Sequence, residues 1–272
     1  MLTATSTISL LISTYNWPAA LALCLNSIRT QTILPDEVII ADDGSKDETR
    51  ELILNMKKNF PVPIIHVWQE DNGFRLAKIR NKGIARSSSD YIIQIDGDLI
   101  LDKHFIEDHM SIAEEGYFIT GSRALLSSNT TSKLFRDPNI PISYTSTPFS
   151  HFFNAVRFAP LTRYLSTRYK VGGKYKYYVK GCNMSFWKKD LITVNGYDEN
   201  FIGWGMEDND IAVRLLNAGV RKKFIKMGGV AFHLYHRENS RGKHQANSIL
   251  VKAAVSSKKI KAEKGILEYL VH

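Results

Sequence analysis

Between Ser6 and Ile95 the chain repeats one pattern: a short apolar run, a helical segment, then another short apolar run. The runs Ser6–Ser13, Glu37–Ala41, Val62–Val67 and Tyr91–Ile95 are strand-sized and rich in β-branched residues. Runs with little polar alternation suit strands covered on both faces. Apolar residues recur at helical spacing over Pro18–Thr30 and Phe74–Arg86. Asn16 just ahead of Pro18 reads as a helix N-cap. Ser45-Lys46-Asp47-Glu48 has the spacing of a capping box, opening a helix that runs to Lys58. Strand alternating with helix predicts an α/β fold, a doubly wound and mostly parallel sheet flanked by helices. Such sheets bind ligands at the carboxyl ends of their strands. Asp42 and Asp43 follow one expected strand there, and Asp96 and Asp98 follow another.

Past Gly121 the pattern weakens. Ser127–Tyr178 is rich in Ser, Thr, Tyr, Phe and Arg without a clear period, and is too long for a simple loop. It is expected to form an insertion or lid. Regular structure resumes near Val179. Met184–Leu191 is apolar and aromatic, Asn195-Gly196-Tyr197 is a turn, and Glu207–Ala218 has helical spacing closed by Gly219 as C-cap. Gln245–Tyr269 reads as a basic terminal helix.

The net charge of +9 is unevenly placed. Arg123–Tyr178 holds nine Lys/Arg against one acid, Asp137, and Arg237–Lys264 holds eight against two. The rest of the chain is mildly acidic. Two basic segments point to an anionic partner, a membrane surface or an anionic glycan. No recognised nucleic-acid motif accompanies them, so no nucleic acid is expected. Cys24 and Cys182 are too few and too far apart for a disulfide framework, which favours a reducing compartment. The apolar run Ile8–Ile12 is far too short to span a bilayer. The expectation is a soluble, cytoplasmic protein.

Three constellations carry chemistry. Asp96-Gly97-Asp98 closes the apolar run Tyr91–Ile95. Its carboxylates suit a hard divalent cation, and its glycine admits a phosphate closely. A lone Asp-x-Asp also fits a loop of solvated acids. Gly203-Trp204-Gly205-Met206-Glu207-Asp208 places acids at a helix start, where the macrodipole favours them and keeps them ionised. The tryptophan between glycines suits a sugar-stacking platform, and an ionised carboxylate near a hydroxyl can act as general base. In His233-Leu234-Tyr235-His236, two imidazoles three apart could ligate one metal, though ordinary structural histidines give the same pattern.

Together these residues resemble a known family. Ser13-Thr14-Tyr15-Asn16, Asp42-Asp43-Gly44-Ser45 with Asp47, Arg80-Asn81-Lys82-Gly83 and Asp96-Gly97-Asp98 are similar to glycosyltransferase family 2 with the GT-A fold. Gly181-Cys182-Asn183-Met184-Ser185, Asn195-Gly196-Tyr197-Asp198 and Gly203–Asp208 resemble the galactosyltransferase-type module of β-1,4-galactosyltransferases and bacterial chondroitin-polymerase-like enzymes. The resemblance implies a nucleotide-sugar-binding half over 1–122, an insertion over 123–178, an acceptor-binding and catalytic half over 179–240, and a basic helical tail over 241–272. It implies that Ser13, Tyr15 and Asp43 line the uracil and ribose pocket, with Arg80 grouped among the donor-binding residues. Asp96 would face the ribose or the metal's water shell. Asp98 and His236 would ligate Mn²⁺ or Mg²⁺, and His233 stands where animal galactosyltransferases carry a methionine ligand. Asp208 would be the general base, Glu207 would hold acceptor hydroxyls, and Trp204 would contact donor or acceptor sugar.

The activity so implied is inverting transfer of a hexose or N-acetylhexosamine from a UDP-sugar to a glycan. The acceptor would be an oligosaccharide or lipid-linked glycan of a bacterial surface polysaccharide or lipopolysaccharide, with peripheral contact to anionic membrane. Three other classes compete. A glycoside hydrolase also uses paired carboxylates but needs neither the Asp42–Ser45 turn nor Asp-x-Asp. A sugar nucleotidyltransferase would show a Gly-rich basic loop near the N-terminus, which Leu11–Pro18 lacks. A non-catalytic glycan-binding module would have no need of Asp98, Asp208 and His236 together.

Overall fold

The computed structural model describes residues 6–142, 149–237 and 242–270. The chain opens with β1 (Ile8–Thr14), α1 (Pro18–Arg29), β2 (Glu37–Asp42), α2 (Asp47–Lys57), β3 (Ile64–Trp68), α3 (Leu76–Arg86) and β4 (Tyr91–Asp96). It continues with β5 (Leu99–Leu101), α4 (Phe105–Ile112), β6 (Tyr117–Thr120), β7 (Ala124–Leu126), α5 (Ser128–Arg136), β8 (Phe149–Ser150) and α6 (Ala159–Ser166). It closes with β9 (Asn183–Trp187), α7 (Lys188–Thr193), α8 (Glu207–Asn217), β10 (Arg221–Phe224), β11 (Ala231–His233) and α9 (His244–Ser256).

A seven-stranded sheet in the order β10-β6-β9-β4-β1-β2-β3 forms the frame. The neighbours β1–β2, β1–β4, β2–β3 and β6–β10 are parallel, while β9 runs antiparallel to both β4 and β6. The mostly parallel α/β sheet expected from the sequence is present. All seven residues of β1 are buried, as a strand covered on both faces must be. Successive side chains point to opposite faces. Leu10, Ile12, Val38 and Ile40 pack with Leu21, Leu25 and Ile28 of α1 on one side. Leu11 and Ile39 pack with Ala77, Ile79 and Ile84 of α3 and with Ile211 and Leu215 of α8 on the other. A smaller sheet, β5-β11-β7-β8, lies beyond the end of β4.

Several local expectations change. Asn16 does not cap α1, whose N-cap is Trp17, and α2 starts after Lys46 without a side-chain cap. The two polar residues bond each other's turns instead. The Asn16 amide donates to Ser45 Oγ at 2.8 Å, and Asn16 Oδ1 accepts from the Lys46 amide at 2.8 Å. Joining two strand-end turns outweighs capping either helix alone.

The stretch 127–178 is not aperiodic throughout: it contains α5, capped by Ser127, and α6. It is pinned to the body by Arg157, whose Nη2 lies 2.8 Å from Asp108 Oδ1. The terminal helix expected over Gln245–Tyr269 breaks. α9 ends at Ser256, Lys258 adopts a positive φ of 53°, and a short 3-10 turn follows at Ile266–Tyr269. Burial explains the break, since Val251 and Ala254 pack with Phe201 and Val213 while Ile266 reaches the core between α3 and α8. Among the described residues, no helix is long and apolar enough to cross a membrane. Cys24 and Cys182 are both free and buried.

Candidate active site

The carboxyl ends of β2, β1 and β4 lie side by side, and each delivers part of one cleft. Asp43 leaves β2 with its amide bonded to the Thr14 carbonyl at 3.0 Å. Its Oδ1 accepts from Gln69 Nε2 at 2.6 Å and its Oδ2 from the Arg75 amide at 2.8 Å. Burial raises its pKa, and these two donors oppose the rise. Asp42 accepts from the Ser45 amide at 2.8 Å and stands 2.9 Å from His66 Nε2. Gly44 sits at φ +97°, where a Cβ would come within 2.5 Å of the Asp71 Cα, so the turn admits glycine alone. Tyr15 is half exposed on the rim and donates to Asp71 Oδ2 at 2.9 Å.

The second part is a three-residue ligand cluster. Asp98 immediately precedes β5, and β11 pairs antiparallel with β5 so that His233 stands opposite Leu99. Backbone pairing thus brings residues far apart in sequence together. Asp98 Oδ2 lies 3.3 Å from His233 Nε2 and 3.2 Å from His236 Nε2. The ligand atoms of the three all lie within 4.8 Å of one another. His236 Nδ1 donates to the Arg237 carbonyl at 2.8 Å, and the ring meets Trp17 edge-on at 5.6 Å. Those contacts fix the tautomer and aim Nε2 at Asp98, the usual support of a metal-ligating imidazole. A hydrogen bond donated to Asp98 raises the His236 pKa, with burial opposing. Burial opposes ionisation of Asp98, but the two imidazoles hold its pKa below the usual carboxylate range. Among the described residues, Asp98 Oδ1 is buried without a hydrogen-bond partner. One carboxylate, two imidazoles and an orphaned carboxylate oxygen suit a borderline divalent cation.

The third part centres on Arg80, which is 1% exposed. Its Nε donates to Ser13 Oγ at 3.1 Å, Nη1 to Asp208 Oδ1 at 2.8 Å and Nη2 to Asp96 Oδ1 at 3.0 Å. Its guanidinium also stacks at 5.3 Å over the buried Tyr197 ring. Burial disfavours the charge, but Asp208, Asp96 and Glu207 outweigh it and raise the Arg80 pKa. One side chain therefore ties β1, β4 and the start of α8 together. Burial also raises the pKa of Asp96, against Arg80.

Asp208 stands in the first turn of α8 on the cleft side, and Gly181 lies against it. A Cβ on Gly181 would fall 1.8 Å from Asp208 Oδ2. The adjacent Glu207 is 5% exposed, with Oε1 3.6 Å from Arg80 Nη1 and Oε2 unpartnered. Burial and the neighbouring Asp208 push its pKa up to about 8, with Arg80 opposing. Glu207 thus departs from the expectation that the helix dipole keeps both acids ionised: desolvation exceeds the dipole at this depth. Trp204 is 38% exposed, its ring stacked with His244 at 6.1 Å.

The structure brings Ser13, Arg80, Asp96, Glu207 and Asp208 into one cluster, with Asp98, His233 and His236 in the next. Asp43 and Tyr15 lie towards β2, and Trp204 lies before α8. Sequence reasoning missed Gln69 and Asp71, which hold Asp43 and Tyr15, and also Arg123 and Lys180. No local signal marks Gln69 or Asp71. Lys180 adjoins the Gly181 motif, which was the available clue, and Arg123 only opens a basic stretch.

The family model for glycosyl transferase family 2 matches residues 9–175, and the model for the N-terminal domain of galactosyltransferase matches residues 162–237. Chondroitin synthase of Escherichia coli is 26% identical over 251 residues, covering 83% of this chain and 34% of that protein. The chain thus spans about a third of that relative's length. Among solved structures, S. aureus TarS 1-349 in complex with UDP-GlcNAc aligns with a TM-score of 0.63 at 15% identity, covering 97% of this chain and 69% of that one. The mannosyltransferase PcManGT of Pyrobaculum calidifontis, in complex with GDP-Man and Mn²⁺, aligns with a TM-score of 0.60 at 15% identity, covering 98% and 69%. These two likenesses show the fold, which is GT-A. With one family model spanning more than half of its 272 residues, the chain belongs to glycosyltransferase family 2.

Proposed function

We propose that the chain transfers a hexose or N-acetylhexosamine from a UDP-sugar to a glycan acceptor with inversion at the anomeric carbon. The observation that carries this reading is the Arg80 cluster, which holds Asp208 and Asp96 on one guanidinium beside the Asp98–His233–His236 group. Asp43, Tyr15 and Ser13 bind the nucleoside on the β2 side, where Gln69 and the Arg75 amide orient Asp43. Asp98, His233 and His236 hold Mn²⁺ or Mg²⁺, which supplies positive charge against the leaving diphosphate. Asp208 takes the proton of the acceptor hydroxyl. The freed oxygen pair forms the bond to C1 as the C1–O bond to UDP breaks and its electrons leave with UDP. Glu207 keeps its proton near neutral pH and donates a hydrogen bond to the acceptor. Adjacent carboxyls in different environments thereby take different roles. Arg80 is a positioning residue, since each of its three nitrogens donates to a protein group.

The name of the chondroitin synthase relative supports a growing bacterial polysaccharide as acceptor. The basic segments suit peripheral contact with an anionic membrane face. A panel of UDP-sugars assayed with Mn²⁺ tests the reading, with UDP release measured with and without acceptor and the product's anomeric configuration determined by NMR. UDP release that EDTA stops and Mn²⁺ restores, with a β-linked product from an α-linked donor, supports it. Pyrophosphate release in place of UDP would indicate a nucleotidyltransferase and overturn it.

A further inference from the structure

A cavity of ≈ 410 Å³ opens beside the active site, its lining including Arg123, Lys170, Lys180, Lys226, Tyr169 and Tyr178. The lining holds four cations and no carboxylate. Arg123 follows β6, Lys226 follows β10 and Lys180 precedes the antiparallel β9, so all three sit at the carboxyl edge of the parallel sheet. In the strand order they occupy the β9-β6-β10 end, whereas Asp43 leaves β2 at the other end. Asp208 lies between, against Gly181, the neighbour of Lys180. A hydroxyl presented to Asp208 from the side away from the nucleoside therefore leaves the rest of its molecule in this cavity.

The cations lack strong acceptors. Arg123 Nη1 donates to the Cys182 sulfur at 3.0 Å, a weak acceptor, and its Nε is buried without a partner. Lys170 Nζ lies over the Tyr169 and Tyr178 rings at 5.3 and 5.0 Å, and Lys180 Nζ lies 5.6 Å from Tyr178. Lys226 Nζ bonds only neutral oxygens, the Phe153 carbonyl at 2.6 Å and Asn154 Oδ1 at 3.0 Å. Burial, then Arg123, lowers the pKa of Lys180 against the pull of Asp208, and burial, then Lys170, lowers that of Lys226. Asp96 and Asp98 act on Arg123 and Asp208 on Lys180 from the catalytic side, whereas Lys170 and Lys226 have no carboxylate in the lining, and these cations with tyrosine faces between them form a receptor for an acidic sugar.

We infer that this cavity receives the acidic group, carboxylate or phosphate, of the acceptor glycan. The inference rests on the glycosyltransferase reading and narrows its acceptor. Isothermal titration of the full chain with UDP and Mn²⁺ present tests it with three probes: a glucuronate-terminated oligosaccharide, its carboxyl-reduced neutral counterpart and a phosphorylated counterpart. One acidic probe should bind at least about tenfold tighter than the neutral one, and which of the two does so identifies the group. Lys170→Gln and Lys226→Gln should each remove most of that preference, whereas Lys170→Arg should keep it. Equal affinity for acidic and neutral probes, or no acidic binding by a wild-type protein that binds UDP, overturns the inference and leaves the transferase reading standing. A wild-type chain that releases no UDP in the donor panel overturns the transferase reading and, with it, this inference.

Discussion

The side chains proposed for catalysis depend on very few contacts each, so single substitutions separate their roles. Asp208→Asn keeps the shape but removes the proposed base. Transfer should fall by at least about a hundredfold while UDP affinity, read by titration, stays within about twofold. Gly181→Ala places a methyl 1.8 Å from Asp208 Oδ2, which forces the carboxylate away from Arg80. A displacement of that size should lower kcat about a hundredfold with the fold retained by circular dichroism. Glu207 gives a pH signature. Its folded pKa of about 8 lies above the ordinary value, so its contribution to stability is present at low pH and is lost as pH rises through about 8. Wild-type Tm should fall across that window, and Glu207→Gln should flatten the fall; parallel profiles would refute the buried, protonated acid.

At the scale of elements, polar side chains hold the turns that shape the cleft. Arg214 is fully buried on α8, with Nε 2.7 Å from Asp210 Oδ2 and Nη1 donating to the Val194 and Gly196 carbonyls at 2.8 and 2.7 Å. Removing it leaves Asp210 buried and uncompensated, so Arg214→Ala should cost about 3–5 kcal/mol in urea unfolding. Asn81 works in the same way: its side-chain amide exchanges two hydrogen bonds with the Tyr197 backbone, at 2.7 and 2.8 Å.

The apolar runs of β1, β2 and β4 made the sheet legible in the sequence, because a strand covered on both faces has few other readings. Asp98 and Asp208 were found through motif spacing and family resemblance. Arg80 appeared among the motifs, but its place beneath the site did not, because its three partners come from three separate elements. The cap assignments at Asn16 and Ser45 failed for a related reason: tertiary partners outcompeted the local ones. Half of the cationic cavity, Arg123 and Lys170, was legible as a charge excess over Arg123–Tyr178, whereas Lys180 and Lys226 were not, since periodicity says nothing about which side chains converge.

Across the whole molecule, the sheet spaces the functions. The β2 side, where the nucleoside is proposed to bind, gathers acids, the centre pairs carboxylates with one arginine, and the β10 end gathers cations. The antiparallel β9 sits between β4 and β6 and makes this spacing possible. A chain cut after residue 178 loses β9 and leaves one edge of β4 open, so such a piece should be recovered as aggregate and not as a monomer by size exclusion. The same feature bears on descent. Because one strand from the later half is threaded into the earlier half's sheet, moving either half alone into another chain would leave β4 and β6 without their shared neighbour.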